Sequence, residues 1–176
     1  MRSSMQPGPL DLAVGDNVVY ASHGIGCVEA RTAERDDIPE TIVVLFTSGL
    51  RVSFPVDLAR DALRAPLGER ELEEVRRTLC AETTVDEAQW TQRFRAMREK
   101  VAKGSVTALA EVVRDGAHRE QRLAAGPANS RTGPSERHLY LQARKLLVAE
   151  IALARGIDAE EADVWIVEQV GARGPV

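Results

Sequence analysis

Residues 41–55 read TIVVLFTSGLRVSFP, and this stretch predicts a β-hairpin. Its first part, residues 41–46, is a β-branched and aromatic run that is apolar on both faces, which is typical of a deeply buried strand. We therefore expect this run to be the central strand of a sheet. Ser48 and Gly49 follow it and supply the residue types that a tight turn needs.

The second strand of the hairpin alternates, so its two faces differ in chemistry. Leu50, Val52 and Phe54 share one face, while Arg51 and Ser53 share the other. The polar face is either the ordinary solvent side of a sheet or part of an edge that pairs with a strand of another protein. The residues alone leave both interpretations open.

Upstream of the hairpin, the sequence predicts further short strands. Asp16–Tyr20 is β-branched and aromatic, and Gly24 and Gly26 predict a turn before another strand at Cys27–Ala30. Short strands joined by glycine-containing turns predict a small barrel or a strongly bent sheet.

Downstream, the apolar period changes from that of strands to that of helices after Pro66. A loop of small and helix-breaking residues, Ala124–Pro134, interrupts the helical pattern. The predicted helices span Glu69–Leu79, Trp90 to Gly104 with an N-terminal cap at Thr84–Glu87, a segment capped by Ser105, Ser135 to Gly156, and Ala159–Val170.

These patterns predict a two-domain α+β fold, in which a small β domain precedes an all-α helical bundle. The predicted boundaries are a disordered tail at 1–10, the β domain at 11–64, the helical domain at 67–170 and a second tail at 171–176. There is no internal repeat.

Composition excludes several classes of protein. The 176 residues are 44% hydrophobic and 28% charged, a globular mix and not that of a disordered chain. Two cysteines exclude a disulfide scaffold and a four-cysteine zinc site. No apolar run has membrane-spanning length, and residues 1–10 lack the features of a signal peptide. We expect a protein of the reducing cytosol.

Charge is distributed unevenly along the chain. The net charge is −4, from 23 basic and 27 acidic residues, so overall basicity does not favour nucleic-acid binding. Between Arg93 and Lys145, however, twelve Lys or Arg residues stand against five acidic ones, and the balance reverses after Leu146. This basic middle predicts a local phosphate-binding surface.

Catalytic and metal-binding motifs are missing. The sequence has no nucleophile elbow, phosphate-binding loop or zinc-protease helix, and Gly24 and Gly26 lack the third glycine of a dinucleotide site. His23 and Cys27 are four residues apart without further ligands, so we interpret them as a turn histidine and a buried thiol. An enzyme is the weakest interpretation, and we predict no metal or cofactor.

Trp90 is the residue with two competing interpretations. It opens a helix in which Arg93, Arg95, Arg98 and Lys100 follow closely, so an exposed indole could act as a wedge between bases while the cations hold phosphates. Alternatively, the indole belongs to the core of an amphipathic helix. Composition favours the core, because buried tryptophan is the commoner case. The same reasoning assigns Trp165 to the core.

The sequence resembles the CarD/CdnL family of bacterial transcription regulators that bind RNA polymerase. The resemblance extends over most of residues 11–155. The segments that carry it are Val14–Tyr20 with His23 and Gly24, Phe54–Leu58, Trp90–Arg95, Ala110–Asp115 and Ala143–Glu150.

The resemblance implies a Tudor-like β-barrel that binds the polymerase β subunit, as in transcription-repair coupling factors. On the same grounds the helical domain meets promoter DNA at the upstream edge of the melted bubble, and Trp90 is the minor-groove wedge. Arg93 and Arg95 take the positions of the family's phosphate-facing residues, and Arg98 and Lys100 extend this basic rim.

The polymerase contact is expected on the hairpin. Ser53 stands where the family has a basic residue, and Arg51 on the same strand face can replace it. Gln92 and Ala21 also differ from the family pattern, and the loop at 126–134 is longer than usual.

The functional hypothesis is therefore a cytoplasmic, nucleoid-associated regulator that stabilises the open promoter complex. It would bind DNA non-specifically, as a monomer without a cofactor. The alternative is a protein-interaction module that binds polymerase without contacting DNA.

Overall fold

The structure is a computed structural model that describes residues 11–33, 35, 39–83, 89–126 and 132–171. The chain divides into two compact units, residues 1–66 and 67–176. The first unit is built on an antiparallel sheet, and the second contains helices alone among its described elements. The two-domain α+β prediction is confirmed.

The first unit is a curled five-stranded antiparallel sheet with one short helix, α1 (Val56–Ala62). The strand order is β4-β3-β2-β1-β5. The strands are β1 (Asn17–Tyr20), β2 (Gly24–Thr32), β3 (Thr41–Phe46), β4 (Arg51–Pro55) and β5 (Leu63–Arg64).

The predicted hairpin is present, but its first strand is not central. The β3 and β4 strands pair in antiparallel register, and Gly49 has a φ of 83° in the turn between them. The middle position in the sheet belongs to β2, so the prediction of a central 41–46 strand is wrong. Burial along β3 alternates, with Ile42, Val44 and Phe46 in the core. Its other apolar side chains are half-buried, which gave the impression of a strand buried on both faces.

The predicted turn is shifted from Gly24 and Gly26, because both glycines lie in β2, although Gly24 at the start of that strand has a turn-like φ of 75°. The chain reverses just before them, where the His23 N–H donates to the Tyr20 carbonyl at 3.1 Å. Gly26 pairs with Phe46. A Cβ at Gly26 would lie 2.5 Å from Val44 Cγ1, so this glycine permits a close approach between a strand and the core side chains of its neighbour.

Gly26→Ala is therefore expected to destabilise the protein by about 1–3 kcal/mol, since the added methyl group overpacks the sheet core. Denaturant unfolding followed by circular dichroism measures this change. The control is Gly171→Ala, because a Cβ there meets no atom within 4 Å. If the two variants unfolded alike, the contact at Gly26 would not constrain the fold.

The second unit is a helical bundle. Its largest fully buried side chains include Leu79, Leu109, Leu147 and Ile151. The helices are α2 (Glu69–Cys80), α3 (Trp90–Lys103), α4 (Val106–Ala124), α5 (Pro134–Arg155) and α6 (Ala159–Gly171).

Local signals determine three of the helix ends in this unit. The Ser105 hydroxyl accepts a hydrogen bond from the Ala108 N–H at 3.3 Å, as an N-cap does. Gly104 and Gly156 adopt left-handed conformations at the C-caps of α3 and α5. These features agree with the predicted ends.

Several predictions lie wholly or partly outside the described residues. They are the tail at 1–10, the tail at 171–176 apart from Gly171, which is the last residue of α6, the cap at Thr84–Glu87, and residues 127–131 of the predicted loop. Within the described part, the sequence patterns missed α1 and β5. No described helix combines the length and apolar character needed to cross a bilayer.

Candidate functional site

Trp90 is held at the surface of the helical unit. It is the first residue of α3, and 48% of its surface is exposed. Its indole stacks on the Phe94 ring one turn later, with centroids 5.3 Å apart and planes only 8° from parallel. The partner ring is partly buried against the helical core. One face of the Trp90 indole is therefore open to solvent, while its other face rests on the Phe94 ring.

The four basic residues predicted beside Trp90 have different environments. Arg93 turns inward: its side chain is 17% exposed and its Nε lies 3.5 Å from the buried Glu136 Oε1. Arg95 is 83% exposed and its Nε lies 3.0 Å from Glu99 Oε1. Arg98 is exposed.

The fourth residue, Lys100, is paired across helices, with its Nζ 2.8 Å from Glu111 Oε2. Among the described residues, Arg98 alone of these four has no ion-pair partner. The structure therefore brings together Trp90, Phe94 and Arg98 as an accessible aromatic and basic surface, and it separates Arg93 from that surface.

A shallow groove of about 370 Å³ lies beside this stack. Phe94 and Leu139 contribute apolar lining, and Arg98, Ser135 and His138 contribute polar groups. Aromatic and basic groups around an open groove suit a nucleotide, whose base is flat and whose phosphate is anionic. Phe94 belongs to the Trp90–Arg95 segment that carries the family resemblance, but the sequence predicted no binding role for it or for His138.

Ion pairing explains which cations of the basic middle remain available. Each of its five acidic residues contacts at least one Arg or Lys side chain. Arg144 in turn pairs with Asp163 of α6, Nε to Oδ1 at 2.6 Å. Four exposed cations of the basic middle have no ion pair within the described residues: Arg98, Lys103, Arg122 and Lys145.

Glu136 is a residue that no sequence pattern singles out. An acidic residue in the first turn of a helix is ordinary, since the helix dipole favours it there. In the structure its side chain is only 3% exposed, between Arg93 of α3 and Arg119 of α4. This contact depends on how three helices pack, which no local pattern reports.

The polar face of β4 is the second candidate site. Arg51 and Ser53 are both exposed on this edge strand, which among the described strands pairs only with β3. The Arg51 guanidinium donates to both carboxylate oxygens of Glu29, at 2.7 and 2.9 Å. This hydrogen bonding lowers the pKa of the Glu29 carboxyl. The pair presents an ordered guanidinium next to an open sheet edge.

The remaining candidate residues, His23 and Trp165, lie in mainly aromatic and apolar surroundings. The His23 ring packs near Tyr20 and Phe46, with centroids 5.5 and 5.4 Å away. In the described part of the chain, no three His, Cys, Asp or Glu side chains cluster as metal ligands would. Trp165, predicted as a core residue, is only half-buried and packs against the edge of the helical core, and the Arg155 guanidinium lies 5.3 Å from its ring centroid.

Comparison with known proteins identifies the family to which the chain belongs. Residues 12–65 match the family model for the CarD-like/TRCF RID domain, and residues 74–167 match that for the CarD C-terminal domain. The chain belongs to the CarD family. Members of this family are transcription-related proteins that interact with RNA polymerase, so the resemblance found in the sequence is confirmed.

One curated CarD-like relative extends over nearly the whole chain. It is the protein named "Putative transcription factor YdeB" from Bacillus subtilis (strain 168), which is 24% identical over 153 residues. The match covers 84% of this chain and 95% of the relative.

Proposed function

We propose that this CarD-family protein binds the RNA polymerase β subunit and stabilises the open promoter complex by inserting Trp90 at the upstream edge of the bubble. The observation that carries the proposal is the exposed Trp90 indole, which is stacked on Phe94 beside the exposed Arg98. A supported aromatic face next to an exposed cation is the chemistry that binds unstacked bases and their phosphates.

The mechanism is a shift in the balance between closed and open promoter complexes. A ligand moves such an equilibrium only by the difference between its affinities for the two states. In this proposal the Trp90 ring stacks where duplex gives way to separated strands, a surface that only the open complex offers. Stacking therefore supplies the difference in affinity.

The cations around Trp90 divide into two roles. Arg98 and Arg95 are the proposed phosphate contacts, since both are exposed and the Arg95–Glu99 pair is a surface pair that phosphate can displace. Lys100 contributes less because Glu111 already neutralises it. We assign Arg93 to support of the helix, since its side chain is largely buried beside Glu136.

Docking through the β unit complements this weak DNA contact. We propose that Arg51 and Ser53 on β4 face the polymerase β subunit, because an exposed edge strand with an ordered guanidinium can pair with a partner strand and contact an acidic group. Tethering raises the effective concentration of Trp90 near the promoter, so a monomer with low, non-specific DNA affinity suffices.

Binding to forked DNA tests the proposal directly. Arg98→Glu in the full chain is expected to weaken binding to an upstream-fork duplex and to reduce the slope of log K against log salt by about one, since one phosphate contact is lost. Fluorescence anisotropy over a salt series measures both quantities. The control is Arg70→Glu, which makes the same charge change at an 88% exposed side chain on α2.

The alternative function makes the opposite prediction. A protein-interaction module that binds polymerase without contacting DNA would show no fork binding that depends on Trp90 or Arg98. Equal loss in the Arg98 and Arg70 variants would indicate only general charge attraction, and it would contradict a phosphate site beside the indole.

A further inference from the structure

The Glu136 carboxylate lies at a junction of three helices. It belongs to the first turn of α5, its Oε1 lies 3.5 Å from Arg93 Nε of α3, and its Oε2 lies 3.6 Å from Arg119 Nε of α4. The carboxylate is almost completely buried, and both guanidinium groups are mostly buried as well. A buried carboxylate requires charged partners, so these three side chains are constrained together.

The junction lies directly behind Trp90. Arg93 follows the indole by three residues, so it lies on the same side of α3 one turn later. Among the described residues, the N-cap residue of α3, Gln89, makes no side-chain capping hydrogen bond. The pairing of Arg93 with Glu136 thus anchors the first turn of α3, from which the indole projects.

The start of α5 also approaches the indole itself. Gly133, the N-cap of α5, is so close that a Cβ built on it would lie 3.8 Å from Trp90 Nε1. Glu136 follows Gly133 by three residues and holds Arg93. The beginning of α5 therefore approaches the Trp90 turn at two points, near the ring edge at Gly133 and through the buried ion pair at Glu136.

From this geometry we infer that Glu136 is a positioning residue, which holds α3 through Arg93 so that the Trp90 ring keeps its stacked, outward-facing orientation. Its effect on the indole is a property of the free protein. Its consequence at a promoter rests on the proposed function.

The test compares two buried carboxylates on the same helix. Glu136→Gln removes the charge with little change of shape. Glu150→Gln is the matched control, because Glu150 is also buried on α5 but lies 14 residues further along, about 21 Å at the usual helical rise. The chain has two tryptophans, so a proton–nitrogen NMR spectrum contains two indole signals, and Trp165 serves as the internal reference.

In Glu136→Gln we expect the Trp90 indole signal to shift or broaden while that of Trp165 stays in place. Glu150→Gln is expected to leave the Trp90 signal as in the unmodified protein. In promoter assays Glu136→Gln should shorten open-complex lifetime by about two- to tenfold with unchanged polymerase binding, and Glu136→Asp should restore part of the loss.

Arg93→Gln provides a second route should Glu136→Gln fail to fold. It releases α3 while Arg119 still neutralises the carboxylate, and it should disturb the Trp90 signal in the same way. An unchanged Trp90 indole in a folded Glu136 or Arg93 variant would overturn the positioning role. Because this readout uses neither DNA nor polymerase, it decides the inference even if Trp90 proves to have no role at promoters.

Discussion

Trp90→Ala is expected to shorten the lifetime of the open promoter complex by about five- to 150-fold, since stacking of one aromatic ring on a base contributes about 1–3 kcal/mol. The loss falls on the open state because only that state exposes a base step to the ring. Polymerase binding should be unchanged, as Trp90 lies in the helical unit and the proposed docking strand lies in the β unit. Dissociation of promoter complexes after addition of a heparin competitor measures the lifetime.

Leu141→Ala is the matched control for this experiment. Leu141 is an apolar residue with the same exposed fraction as Trp90, 48%, but it lies on α5 and outside the Phe94 groove. It should leave the lifetime unaltered. Equal lifetimes for Trp90→Ala and the unmodified protein would exclude the wedge, whatever the affinity of the protein for polymerase.

Arg51→Glu is expected to weaken binding to the polymerase β subunit by about thirtyfold, the effect of losing an arginine hot spot of roughly 2 kcal/mol. In the unmodified protein, Glu29 accepts two hydrogen bonds from Arg51. The substitution removes this exposed guanidinium and places a second carboxylate opposite Glu29. Biolayer interferometry with immobilised β subunit and the full chain measures the affinity.

Two further variants test whether the change in affinity is specific to β4. Ser53→Arg adds a cation beside Arg51 on the same face and should strengthen binding. Arg70→Glu has the same charge change in the helical unit and should leave the affinity unchanged. If Arg51→Glu bound as tightly as the unmodified protein, another face of the β unit would have to carry the contact.

The elements that sequence predicts well here are those decided by neighbouring residues. The turn at Ser48 and Gly49, the N-cap at Ser105 and the C-cap glycines depend on local backbone geometry. Helix α3 was predicted from Trp90 to Gly104, and the structure ends it at Lys103 with Gly104 as its cap.

The features that sequence missed depend on residues far apart in the chain. Gly26 looked like a turn residue because its contact with Val44 forms only across a completed sheet. Arg93 looked like part of a basic rim because its partner lies 43 positions away, at Glu136. Periodicity placed Trp90 on one side of a helix but could not say whether another helix covers that side; the family resemblance, not the pattern, favoured exposure.

The pairing of acids and bases in the helical unit has a consequence for how such a protein would search a chromosome. In the basic middle between Arg93 and Lys145, four exposed cations lack an ion pair among the described residues, so these four would release about 3.6 counterions on binding duplex DNA. A protein with so shallow a dependence is not titrated away by bulk genomic DNA. Its distribution along the chromosome would instead follow that of RNA polymerase. The amount bound at each promoter would then depend on how often polymerase occupies that promoter.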